Sequence, residues 1–200
     1  MRGLLTVVLC LGVCAVARAD GLDLKRALTE QRLQTQAGRT TAGYWLLGFG
    51  LASAAAGGVA AGVGHDQKVW LAAGITTAGF GVVNAALSLG LLDLSGAERE
   101  RVLRDAAQGD FAALRENEMV NQLHSGQFFA VNTGLDVFYI AAGVLLCVIA
   151  AVQDEPDRWE LGVGSAMVGQ GVFLLGFDVV SWLAANRRAS NARALHATPP

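Results

Sequence analysis

Apolar residues gather into four long runs, residues 41–64, 69–92, 128–152 and 161–185, with polar residues between them. About 20 apolar residues in a helix, rising 1.5 Å each, cross the hydrocarbon core of a bilayer. Every run meets that length, so the pattern predicts four membrane-spanning helices. The connections HDQK and QDEPDR are short, which pairs the runs into two tight helical hairpins, residues 41–92 and 128–185.

A segment of mixed pattern precedes each hairpin. In residues 20–40, Leu24, Ala27 and Leu28 share a face among Lys25, Arg26, Glu30 and Arg32. In residues 93–127, Val102, Leu103, Ala106, Phe111, Leu114 and Leu123 supply the apolar positions. There Ser95 and Glu98 have the spacing of a capping box, and Gly109-Asp110 reads as a break with a new N-cap. Such a connector rests on the headgroup boundary or on the bundle, or else is a solvated helix. Residues 186–200 read as a polar tail.

The opening MRGLLTVVLCLGVCAVARAD has a basic start, a short apolar run and Ala17-Arg18-Ala19 before Asp20, the order of a secretory signal peptide over residues 1–19. Its removal would leave Cys147 as the one cysteine, and no internal disulfide. A lipoprotein processed at Cys14 is the alternative, opposed by bulky Val13. The leader places the mature N-terminus outside the cell. The positive-inside rule gives the reverse, because that orientation puts Arg99, Arg101, Arg104 and Arg187 outside and only Lys68 and Arg158 inside. We follow the leader; an uncleaved leader with both termini cytoplasmic is the other reading.

Composition reinforces the membrane assignment: 53% of residues are hydrophobic and 16% charged, with a mean hydropathy of +0.42. A net charge of −2 without a Lys/Arg run excludes nucleic acid as a partner. His65, His124 and His196 lie far apart with no metal-ligand spacing. The stretch Gly162-Val-Gly-Ser-Ala-Met-Val-Gly has its third glycine misplaced for a nucleotide loop and lies within an apolar run. No nucleophile and base pair up, so the sequence predicts no enzyme, no metal and no cofactor.

Glycine here predicts helix packing. Gly48, Ala52, Ala56, Ala60 and Gly64 form a ridge of small residues at four-residue spacing, and Gly50, Ala54, Gly58 and Gly62 form another. Such ridges let helices approach closely in lipid. The halves also match at an offset of 90 residues, Gly74 with Gly164 and Gly79-Phe-Gly-Val-Val with Gly169-Gln-Gly-Val-Phe, as in a parallel repeat.

Within the spans stand two carboxylates, Asp136 and Asp178. Counting along antiparallel helices places both on the order of 10 Å below the same face, with Asn84 of the second span at a similar level. Asn132, Asp136 and Tyr139 share one face of the third helix, and Gln170 approaches Asp178 in direction on the fourth. Tyr44, Ser88 and Trp182 border the group. A charge at that depth costs roughly 2.5–3.5 kcal/mol on insertion scales, so both acids are expected to face the bundle interior, between the second, third and fourth spans. There they fasten the hairpins by hydrogen bonds, or form a site for a proton, a cation or a polar ligand.

The segments Asn132-Thr-Gly-Leu-Asp-Val-Phe-Tyr-Ile140 and Gln170-Gly-Val-Phe-Leu-Leu-Gly-Phe-Asp178 resemble an uncharacterised family of bacterial four-helix membrane proteins with a signal-like leader. The resemblance is closest over the second hairpin, and it implies architecture without naming an activity. The expectation is an all-α protein: a signal peptide, then a bundle of two hairpins, each preceded by an amphipathic segment, in a bacterial inner membrane. Its partners are the lipid bilayer and either further copies of itself or another membrane protein. Its expected role is a small scaffold or interaction protein, with a carrier or binding protein for a small solute or proton as the alternative.

Overall fold

The computed structural model describes the backbone of residues 2–108, 111–153 and 158–197, and the side chains of residues 25–108, 116, 118–153 and 158–190. Among the described residues there are helices and turns but no strand. The helices are α1 (Arg2–Val63), α2 (Lys68–Leu89), α3 (Ala97–Gln108), α4 (Phe111–Ala151) and α5 (Trp159–Ala197). Within them Lys25–Val63, Lys68–Leu89, Glu118–Ala151 and Trp159–Ser190 are long and apolar enough to cross a membrane.

Three helices outrun the expected boundaries. The residues 20–40 segment and the first span are one unbroken helix, α1; residues 128–151 continue α4, and residues 186–197 of the tail continue α5. Residues 1–19 contribute backbone to the start of α1 from residue 2 onward, their side chains lying outside the described residues. No proline interrupts these helices, since the chain's three prolines are Pro156, Pro199 and Pro200. The break expected at Gly109-Asp110 also lies outside the described residues.

By compactness the chain forms two units, one of residues 1–37, 93–124 and 185–200, the other of residues 38–92 and 125–184. The second unit is a four-helix bundle turned inside out relative to a soluble one. Val59, Val63, Val82, Leu87, Val131, Phe138, Leu145, Val172 and Val180 are exposed, whereas Gly, Ala, Ser, Asn, Asp and Gln are buried. Aromatic residues ring its ends: Tyr44, Trp45 and Trp182 at one, Trp70 and Trp159 at the other, all exposed. Such belts mark the two membrane–water interfaces.

Buried positions recur every seven residues: Gly43, Gly50 and Gly57 on α1, Gly74, Gly81 and Ser88 on α2, Phe129, Asp136, Gly143 and Ala150 on α4, Gly164, Gly171 and Asp178 on α5. A seven-residue stripe is the seam of helices packed at a shallow left-handed crossing. This corrects the ridges read from the sequence. Gly48, Gly58 and Gly62 meet nothing within 4 Å, and the contact surface of α1 combines Gly50 and Ala54 of the second expected ridge with Gly43, Gly57 and Ala61. A Cβ on Gly50 would lie 2.6 Å from the backbone nitrogen of Ala85 and 2.7 Å from the oxygen of Gly81.

The halves repeat in their contacts. Gly74 packs on the backbone of Gly57 and Ala61, and Gly81 on that of Gly50 and Ala54. In the second hairpin Gly164 packs on Gly143 and Cys147, and Gly171 on Asp136 and Ile140. Residues of α2 thus correspond to α5 at an offset of 90, and those of α1 to α4 at an offset of 86. The difference is about one helical turn. It explains why a single offset aligns the second and fourth spans but not the first and third. Contacts between hairpins obey the same relation: Ser53 meets Gln170, and their counterparts Tyr139 and Phe80 meet edge to face. The result is a pseudo-two-fold repeat about an axis along the helices.

In the first unit, Leu28 of α1 and Val102 of α3 are buried. Leu103 and Leu123 are exposed, as apolar residues at a headgroup boundary would be. The cap of α3 differs too. Both oxygens of Asp93 accept backbone N–H groups, from Glu98 at 3.4 Å and Arg99 at 3.1 Å, while Glu98 turns to Arg101. An ionised acceptor suits the positive end of the helix dipole better than the Ser95 hydroxyl, which receives only the N–H of Ala97 at 3.3 Å.

Candidate functional site

Asp136 and Asp178 are 3% and 5% exposed, and their carboxyl groups lie close enough to act on each other. The packing explains how they meet. Gly171 has no side chain, so α5 rests directly on the backbone oxygen of Asp136 and on Ile140. One heptad further, Asp178 stands on the same face of α5, opposite the turn of α4 that precedes Asp136. The backbones of the two acids are therefore staggered by about one turn, ~6 Å at 1.5 Å per residue, rather than level as residue counting predicts. In a helix the Cα–Cβ bond leans toward the N-terminus, and on antiparallel helices these leans converge and close the gap.

The other predicted members are distributed around this pair. Gln170 is buried, but its amide donates to Ser53 on α1 at 3.1 Å instead of to an aspartate. The first span therefore joins a polar group that the sequence assigns to the other three. Tyr139, half-buried, packs its ring against Phe80 of α2 at 5.4 Å between centroids. Asn132 is half-buried one turn before Asp136. Asn84 is buried on α2 with no partner for its Nδ2, and Asp136 Oδ2 and Gln170 Oε1 are likewise buried without one. Ser88 folds back onto the backbone oxygen of Ala85 at 2.6 Å, and Tyr44 and Trp182 are exposed. The Asp136–Asp178 contact joins α4 to α5 within one hairpin, and Gln170–Ser53 joins the two hairpins.

A second polar group, in the first unit, escaped the sequence reading. Glu118 is 2% exposed. Its Oε1 accepts from Gln122 Nε2 at 2.9 Å and from Thr35 Oγ1 at 3.4 Å, and its Oε2 stands 3.6 Å from Arg32 Nε. Gln122 Nε2 also reaches Thr35 Oγ1 at 2.9 Å, Arg32 Nη1 lies 3.7 Å from Asp105 Oδ2, and Gln31 Nε2 donates to the backbone oxygen of Arg188 at 2.9 Å. Charge on Glu118 also acts on Arg188. The signal was present as Gln31, Thr35 and, on α4, Glu118, Gln122 at helical spacing. Polar faces were assigned to solvent, and these turn inward. Among the described residues no three His, Cys, Asp or Glu side chains are placed to hold a metal ion.

No curated protein and no solved structure matches the chain. A family model does: the chain belongs to a family of unknown function, DUF6992, whose model matches residues 45–179. The match covers all four apolar stretches in part or whole, and it includes Asp136 and Asp178.

Proposed function

We propose that this member of DUF6992 is a small scaffold or interaction protein of a bacterial inner membrane, inserted after a cleaved leader and acting without catalysing a reaction. The observation that carries this reading is the inward pairing of its polar groups. Gln170 is spent on Ser53, and Asp136 on Asp178, so the bundle's buried polarity ties helices together. Interhelical hydrogen bonds in membranes average about 0.6 kcal/mol, and several of them add to close glycine packing to hold the helices in one arrangement. The exposed apolar surface meets lipid and further membrane protein, including other copies of the chain.

Two measurements test the proposal. An alkaline phosphatase fused to the C-terminus is expected to be active, as the leader requires; a fluorescent fusion bright in the cytoplasm would reverse the orientation. Cross-linking and size analysis of Asp136→Asn and Asp178→Asn proteins are expected to show impaired assembly. Intact assembly, with loss of an ion or solute response that the wild type displays, would instead favour a carrier. That second reading has its own support in the unpartnered, buried Oδ2 of Asp136.

A further inference from the structure

The Asp136–Asp178 contact poses a charge problem independent of any scaffold role. Neither α1 nor α2 turns a titratable side chain into the bundle: their buried polar groups there are Ser53, Asn84 and Ser88. On α4 the other titratable groups that are even half-buried are Tyr139 and Cys147. Arg158 and Glu160, also half-buried, stand beside the start of α5, at the far end of that helix from Asp178. No described Lys, Arg or His side chain of the second unit therefore faces the pair. Two ionised carboxylates in contact there would repel in a medium of low dielectric with no cation to offset them.

Three features together point to one ligand. The two acids are buried on the packed faces of α4 and α5 with their side chains leaning toward each other, and two carboxyl groups can share a hydrogen bond only through a proton. Oδ2 of Asp136 is buried with no protein donor beside it, so a proton is the donor it lacks. Asp178 lies one helical turn, ~6 Å along the axis, from the exposed Trp182 of the aromatic belt, which is the nearer membrane–water interface. We propose that Asp136 and Asp178 together bind a single exchangeable proton, forming a proton site inside the second hairpin. The proton enters from the Trp182 end and bridges one oxygen of each acid. Its loss leaves two adjacent negative charges, which favour separation of α4 from α5.

Infrared difference spectroscopy of the full chain in liposomes tests this. The wild type at neutral pH is expected to show one carbonyl band of a protonated aspartic acid, which moves when aspartate carboxyl carbons are labelled with ¹³C and disappears on alkaline titration. Asp136→Asn and Asp178→Asn, each leaving a single acid with no second carboxylate to share a proton, are each expected to lose the band. Should neither variant fold, the labelled wild type alone decides. Absence of the band from wild type at neutral pH, with or without sodium present, overturns the proposal, and so does its survival in both variants. Failure here leaves assembly unaffected, so it is distinguishable from failure of the scaffold reading.

Discussion

Gln170 on α5 donates to the hydroxyl of Ser53 on α1, a residue 117 positions earlier in the chain, and does so in the same turn where Gly171 lets α5 rest on the backbone of α4. One turn of α5 thus touches both of its neighbours by different chemistry, a polar bond on one side and bare backbone on the other. A double-mutant cycle with Ser53→Ala and Gln170→Leu, read by unfolding of the purified protein, is expected to return a coupling of about 0.6 kcal/mol, the average for such bonds in membranes.

Glycine substitutions should separate the packed face of α1 from its lipid face. Gly50→Leu pushes a side chain into the backbone of Ala85 and Gly81, so α1 and α2 must part, at about 1–3 kcal/mol for overpacking and more where backbone blocks relaxation. Gly58→Leu, in open space, is expected to be neutral or slightly stabilising because leucine is the better helix former. Thermal aggregation in detergent, compared between the two variants, measures this difference.

Glu118→Ala is expected to destabilise the first unit by less than the ~3–5 kcal/mol of a fully broken buried pair, since the mostly buried Arg32 loses one carboxylate and keeps Asp105 at 3.7 Å. Glu118→Gln retains acceptors for Gln122 and Thr35 and should lose less. Protease sensitivity of the first unit in the two variants would reveal the order.

Asp93→Ala removes the acceptor for two N–H groups at the start of α3, with an expected loss of about 0.5–2 kcal/mol from the cap, and also frees the Gln36 amide of α1 that donates to the same carboxylate. Ser95→Ala should be nearly silent. Amide hydrogen exchange over residues 97–104 distinguishes them: faster exchange in the first variant and none in the second supports Asp93 as the cap.

The spans were legible because lipid imposes a blunt rule, about 20 apolar residues per crossing, and four runs satisfy it. Asp136 and Asp178 were legible for the complementary reason that an acid in such a run has to face inward. Sequence spacing was a poorer guide to contact. Gly48 and Gly58 look like packing residues as much as Gly50 does, yet only the last faces a neighbour, because the direction of a face depends on which helix lies beside it. Glu118 and Gln122 were missed on the same grounds: a polar face is assigned to water until a partner such as Arg32 is known to approach it. The stagger between the two aspartates likewise depends on the register that Gly171 sets.

The correspondence of the hairpins has a consequence for how an acid pair can arise. Two identical subunits related by a dyad must carry every residue twice, so a carboxylate gained in one would crowd the assembly with its duplicate. Joining both hairpins in one polypeptide lifts that constraint. At the places matching Asp136 and Asp178 the other half holds Gly50 and Ser88, and the acids occur once, on one side of the dyad.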